Sequence, residues 1–124
     1  MRILKREIKK NRPCFIIGEI GSNHNSNFNN VKKLINAASR AKFDAVKFQL
    51  YDAEEAFSKN LTTKGVGLEK MYGLKPWWKI AEKKILMPRN WFEPAYKYAR
   101  KRGLIPFCTV HRNEDIKFLK KIGI

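Results

Sequence analysis

Apolar and polar positions change rhythm along the chain, and each change marks an element. Pro13 opens an apolar run from Cys14 to Ile20, and the polar, Asn-rich stretch Gly21 to Asn27 follows, so the pattern predicts a strand and then a loop. From Phe28 the apolar residues Val31, Leu34, Ile35, Ala38 and Ala41 recur at helical spacing behind Asn27, a suitable N-cap, predicting a helix over Phe28 to Lys42. Ala45 to Leu50 reads as a second strand, with a polar connection carrying Asp52, Glu54 and Glu55. Between Thr62 and Lys84 the rhythm weakens. Gly65, Gly67, Gly73 and Pro76 punctuate short helices around Met71 and over Trp77 to Lys84. Pro88 suits a first helical turn, Trp91, Ala95, Tyr98 and Ala99 give a buried stripe, and Gly103 suits the C-terminal cap of a helix over Asn90 to Arg102. Leu104 to Thr109 is then a third strand, and Ile116, Leu119 and Ile122 belong to a short helix ending at Gly123.

Strands alternating with helices through connections of this length predict right-handed crossovers and a parallel α/β sheet. A doubly wound sheet and a barrel both begin this way, and periodicity does not separate them. The polar residues inside the strands carry more information. Strands covered by helices are nearly all apolar, so Glu19, Lys47 and Gln49 need a reason. On the second strand Ala45, Lys47 and Gln49 share one face and Val46, Phe48 and Leu50 the other, because side chains alternate with period two. The apolar face meets helices. Lys47 and Gln49 then point inward near the C-terminal end of the strand, where barrel enzymes build their sites, with Glu19 late in the first strand and Thr109 ending the third. A carboxylate, an ammonium, an amide and a hydroxyl suit a substrate with anionic and hydroxyl groups. The alternative is a buried Glu19–Lys47 ion pair, a poor stabiliser because desolvation offsets the attraction.

Composition narrows the class. The 124 residues are 44% hydrophobic, which fits one modest globular domain. The apolar runs fall far below the roughly 18 residues that span a bilayer, and the basic lead-in 1–12 lacks the apolar core of a secretory signal. A cytoplasmic protein without a membrane segment is expected. Cys14 and Cys108, in no C-x-x-C pair, are expected to be reduced, buried thiols. Lys and Arg number 27 against 11 acidic residues, a net +16 that attracts polyanions, nucleic acid included. Many cations, among them Lys32, Lys33, Lys83, Lys84, Lys97, Lys101, Lys117 and Lys120, fall on outer helix faces, where scattered solvated lysine is favoured over a nucleic-acid stripe. His24 and His111 follow strands on the same rim, yet with Glu19 they lack any i, i+4 pairing, so no metal site is assigned to them.

The run Ile16-Ile17-Gly18-Glu19-Ile20-Gly21-Ser22-Asn23-His24-Asn25, the stretch Asp44-Ala45-Val46-Lys47-Phe48-Gln49, and Trp91-Phe92 through Gly103-Leu104-Ile105-Pro106-Phe107-Cys108-Thr109 together resemble the N-terminal region of N-acetylneuraminate (sialic acid) synthases and their pseudaminic and legionaminic acid relatives. The resemblance implies a TIM (β/α)8 barrel of which residues 13–124 form about three βα units, so the chain is expected to stop before the barrel closes, a barrel needing roughly 250 residues. It implies condensation of phosphoenolpyruvate with N-acetylmannosamine or a related amino sugar, aided by a divalent metal, Mn or Mg, whose ligands belong to the family's later residues. Under it Glu19 matches the acidic residue near the sugar aldehyde. Lys47 and Thr109 match phosphoenolpyruvate contacts, Gln49 a residue near the sugar, and Asn23 and His24, also expected to bind substrate, belong to the signature loop. Three positions depart from the family: Ser26 stands where Gly is usual, and Val110-His111 follows Thr109 where Pro-Phe is usual. Turnover by these residues alone is not expected, and open strand edges predict self-association, with a complementary chain or a homo-oligomer as partner. A basic binding module and a truncated reading frame are the competing readings.

Overall fold

The structure, a computed structural model, describes residues 1–4 and 6–123; Lys5 of the basic lead-in and Ile124 lie outside the described residues. The lead-in holds a small antiparallel hairpin, β1 (Arg2–Ile3) and β2 (Arg6–Glu7). Then come β3 (Ile17–Ile20), α1 (Phe28–Arg40), β4 (Ala45–Leu50), the short helices α2 (Ala53–Ala56), α3 (Glu69–Tyr72) and α4 (Trp77–Lys84), α5 (Arg89–Lys101), β5 (Ile105–Val110) and α6 (Asn113–Lys121). β3, β4 and β5 form one parallel sheet in that order, with Ile17 opposite Ala45 and Ala45 opposite Ile105.

Local chemistry explains most boundaries. Asn27 caps α1 by accepting from the Asn29 N–H at 2.9 Å, and the helix stops at Arg40 because Lys42 adopts φ +58°. β3 begins later than the apolar run because the Asp44 carboxylate takes the Ile16 N–H at 2.8 Å, diverting that group from the ladder. Asp44 also pairs with Arg6 at 3.1 Å, tying the hairpin to the base of the sheet.

The alternation predicted for β4 sorts the two faces of the sheet. Val46, Phe48 and Leu50 are buried against Val31, Ile35 and Ala38 of α1, Phe92, Ala95, Tyr96 and Ala99 of α5, and Leu119 of α6. Phe48 and Phe92, both fully buried with ring centroids 6.5 Å apart, each contribute about 1.5–3 kcal/mol by leaving water. On the opposite face Ile17, Ile105 and Phe107 join Phe15 and Ile3 of the hairpin around an apolar cavity of about 210 Å³ toward the N-terminal ends of the strands. A second, smaller cluster of Ala53, Trp77 and Ala81 with Phe57, Leu61 and Trp78 gives the excursion between β4 and α5 its own core.

Two expectations are corrected. Cys14 is exposed, because it precedes the sheet and no helix covers it; both cysteines are free thiols, and Cys108, partly covered on the helix side of β5, has its thiol pushed up to about 12 by burial. Glu19 and Lys47 do form an ion pair, but an open one, with side chains 46% and 30% exposed. Among the described residues no helix is long and apolar enough to cross a membrane.

Candidate functional site

Parallel register places the polar residues of the inward face side by side. Glu19 lies opposite Lys47 and Gln49 opposite Thr109, so the four occupy two adjacent rungs toward the C-terminal ends of the strands. The Lys47 ammonium sits 2.7 Å from Glu19 Oε2, and Gln49 Nε2 donates to Glu19 Oε1 at 3.3 Å. Each carboxylate oxygen therefore has its own partner, and the side chain is held in one orientation. Because the pair is half open to solvent it adds at most about 1 kcal/mol to stability. Its charges remain available to an incoming ligand.

The loop after β3 supports this arrangement. Gly21 is buried against the Gln49 amide, where a Cβ would lie 2.9 Å from that side chain. Asn23 Nδ2 donates to the Glu19 carbonyl at 3.2 Å, fixing the turn that follows the carboxylate. Asn25 and Ser26 both take φ near +51°, a conformation costly for residues with a Cβ. Ser26 has a compensating role. Its single hydroxyl proton is shared between the carbonyls of Lys83 and Lys84, at 3.3 and 3.0 Å, joining the site loop to the end of α4.

His24 is placed differently from Glu19, Lys47 and Gln49. It is fully buried, its ring edge-on to Trp91 of α5 at 5.7 Å, and its Nδ1 accepts from the Ser26 N–H at 3.1 Å. Among the described residues Nε2 has no partner, and burial lowers the imidazole pKa, favouring the neutral ring. His24, expected as a substrate contact, is thus enclosed by the fold, while Asn23 is exposed and tied to the Glu19 carbonyl. Thr109 is exposed on the inward face beside Gln49. Among the described residues no three His, Cys, Asp or Glu side chains converge, and Glu19 already faces the Lys47 ammonium. These residues do not fit the divalent metal that the resemblance implies.

The rim also holds a cluster that the sequence pattern does not reveal. Asp115, completely buried at the start of α6, accepts from Arg89 and from Arg112, the latter at 3.2 Å, while Arg112 reaches Glu55 at 3.3 Å. Burial alone would raise the Asp115 carboxyl pKa, but the hydrogen bonds from Arg112 and Arg89 outweigh it and hold the carboxyl below its ordinary range. A buried acid between two arginines 3 and 26 residues away leaves no periodic signal. Above Gln49 and Thr109, Tyr51 and His111 stack with centroids 5.2 Å apart.

Comparison with known proteins gives one consistent family. The pattern of the NeuB family matches residues 34–124. The spore coat polysaccharide biosynthesis protein SpsE of Bacillus subtilis is 31% identical over 109 residues, covering 88% of this chain and 28% of that protein. A pseudaminic acid synthase of Campylobacter jejuni is 29% identical over 114 residues, covering 89% of this chain and 32% of the synthase. The crystal structure of an N-acetylneuraminic acid (sialic acid) synthetase from Leptospira borgpetersenii superposes over 100% of this chain and 38% of its own, with a TM-score of 0.73 and 29% identity. The chain thus spans about a third of the length of the curated relatives it matches. The fold is the N-terminal part of a sialic acid synthase barrel.

Proposed function

The chain belongs to the NeuB family, and from that membership we propose that it supplies the first part of the substrate site of a nonulosonic acid synthase. In the reaction proposed, C3 of phosphoenolpyruvate attacks the open-chain aldehyde of N-acetylmannosamine or a related amino sugar, water adds at C2, and carbon–oxygen cleavage releases phosphate. The observation that supports this most is the convergence of Glu19, Lys47 and Gln49, with Thr109 alongside, at the C-terminal ends of parallel strands.

Each group has a role suited to its chemistry. The Lys47 ammonium and the Thr109 hydroxyl hold the anionic groups of phosphoenolpyruvate. Glu19 stands beside the aldehyde, positioning it or exchanging a proton with the forming alcohol. Gln49 orients Glu19 and faces the sugar. Asn23 and His24 hold the loop that carries Glu19. Turnover is proposed to draw on later strands of the barrel as well as on these residues.

Titration of the chain with phosphoenolpyruvate, followed by NMR, tests the reading. Lys47→Ala is expected to weaken binding by at least about tenfold, the loss of a charge-assisted contact. Undiminished binding in that variant would sink the assignment, and Glu19-dependent phosphate release by the isolated chain, as a monomer, would sink the requirement for further residues. A second reading has one observation in its favour: a cavity of about 330 Å³ on the outer surface of α1 and α5, lined by Asn36, Ser39, Arg40 and Arg102, has no carboxylate. Polyanion binding there would weaken steeply as salt rises, whereas sugar binding at the site would not.

A further inference from the structure

The register that pairs Gln49 with Thr109 and Leu50 with Val110 leads directly to Tyr51 and His111, the first residues beyond the two strands. Alternation puts 47, 49 and 51 on one side of β4 and its extension, and 107, 109 and 111 on the same side of β5. The Tyr51 and His111 rings stack at 5.2 Å with an interplanar angle of 27°, so the two remain neighbours past the last ladder bond, as continued alternation expects. They form a rung about 6–7 Å further out than Gln49 and Thr109, given the rise of two residues along a strand. Tyr51 is braced from behind by Phe57, whose ring meets it edge-on at 6.1 Å, and Phe57 in turn packs on Trp77. His111 is exposed. The inward face therefore presents, from the interior outward, the Lys47 ammonium, the Gln49 amide with the Thr109 hydroxyl, and a braced imidazole.

Resting on the site reading above, we propose that His111 is a further substrate contact of that site: it hydrogen-bonds the hydroxyl-rich outer end of the acceptor sugar and so helps set which sugar is accepted. Phosphoenolpyruvate is compact and is held at the depth of Lys47, whereas an open-chain amino sugar whose aldehyde lies beside Glu19 extends outward for several hydroxylated carbons. The imidazole is placed to meet them. In either protonation state it carries at least one N–H donor, so it can serve a hydroxyl or an acetamido oxygen. Stacking on Tyr51 fixes the ring plane, so little freedom is lost when the bond forms.

The test uses His111→Phe, which keeps a ring to stack on Tyr51 and removes the donor, and His111→Gln, which restores a donor. The chain has two histidines, and the buried His24 serves as an internal report of folding. N-acetylmannosamine added in the presence of phosphoenolpyruvate is expected to shift the His111 ring signals in NMR and leave those of His24 in place. His111→Phe should weaken sugar binding about fivefold, as loss of one hydrogen bond does, with phosphoenolpyruvate binding changed less than twofold and His111→Gln recovering part of the loss. Sugar binding unchanged in His111→Phe, or both ligands weakened equally, overturns the role of His111 while Lys47-dependent phosphoenolpyruvate binding leaves the site reading standing. Failure of both ligands to bind the wild-type chain overturns the site reading and this inference together.

Discussion

Adding one methyl group at Gly21 separates the orientation of Glu19 from the stability of the fold. The new Cβ would lie 2.9 Å from Cδ and Oε1 of Gln49 and 3.0 Å from Nε2, closer than real contacts allow. What must move is the end of a flexible side chain, not backbone. The Gln49 to Glu19 bond is already 3.3 Å long, so displacing the amide breaks it. The lost bond costs about 0.5–1.5 kcal/mol. Gly21 is outside the left-handed region, so alanine fits its backbone and returns about 0.4–1 kcal/mol by restricting the unfolded chain. The two terms nearly cancel, and Gly21→Ala should shift Tm by less than about 5 °C. Glu19, free to rotate away from Lys47, should then bind the amino sugar about fivefold less well. Calorimetry and NMR titration of the same sample measure both quantities. A fall in Tm beyond about 10 °C would mean the backbone had absorbed the overlap. Unchanged sugar affinity in Gly21→Ala, alongside reduced affinity in Gln49→Ala, would show that the amide contacts the sugar without orienting Glu19. Either result refutes the reasoning.

Ser26→Ala should lower the urea midpoint by the equivalent of about 1 kcal/mol, through loss of the bonds to the Lys83 and Lys84 carbonyls. Ser26→Gly loses the same bonds but relieves a left-handed strain of about 1–2 kcal/mol, so it should be the more stable of the two; the reverse order would contradict the account. Asp115 has its folded carboxyl pKa lowered, so it stabilises the fold above the ordinary carboxyl range and that contribution is lost as pH falls through the folded value. Asp115→Asn should cost about 3 kcal/mol at neutral pH and flatten the acid side of a plot of Tm against pH, and an unaltered acid side would remove Asp115 from the explanation.

The elements that sequence reading locates best are those whose boundaries depend on local chemistry. β4 runs over Ala45–Leu50 as its alternation predicts, and Asn27 caps α1 as expected. The two long helices and the parallel order of the strands follow the periodicity, with ends displaced by one or two residues. β3 is shorter than the run Cys14 to Ile20 because a carboxylate 28 residues away captures the Ile16 N–H, which hydropathy does not register. The meeting of Glu19, Lys47 and Gln49 was legible because period-two placement fixes which side chains share a face. The burial of His24 was not, since a histidine in a polar loop reads as a rim residue until Trp91, itself packed on Phe28, is known to lie against it. The Arg89–Asp115–Arg112 cluster was equally hidden, its partners being brought together only by the packing of α5, β5 and α6.

Arg112 and Ser26 also set a timetable for synthesis. Ser26 must wait for carbonyls 57 and 58 residues later, and Glu55 for a guanidinium 57 residues later. A chain emerging at about 5–20 residues per second leaves both loops unfastened for about 3 to 11 seconds. During that interval the β3 loop and the excursion after β4 are open to a protease or a chaperone, and each is fastened only once its later partner has been made. Slowed translation between the codons for Glu55 and Arg112 should therefore increase nicking of nascent chains within these two loops, with no change in the protease resistance of the finished protein.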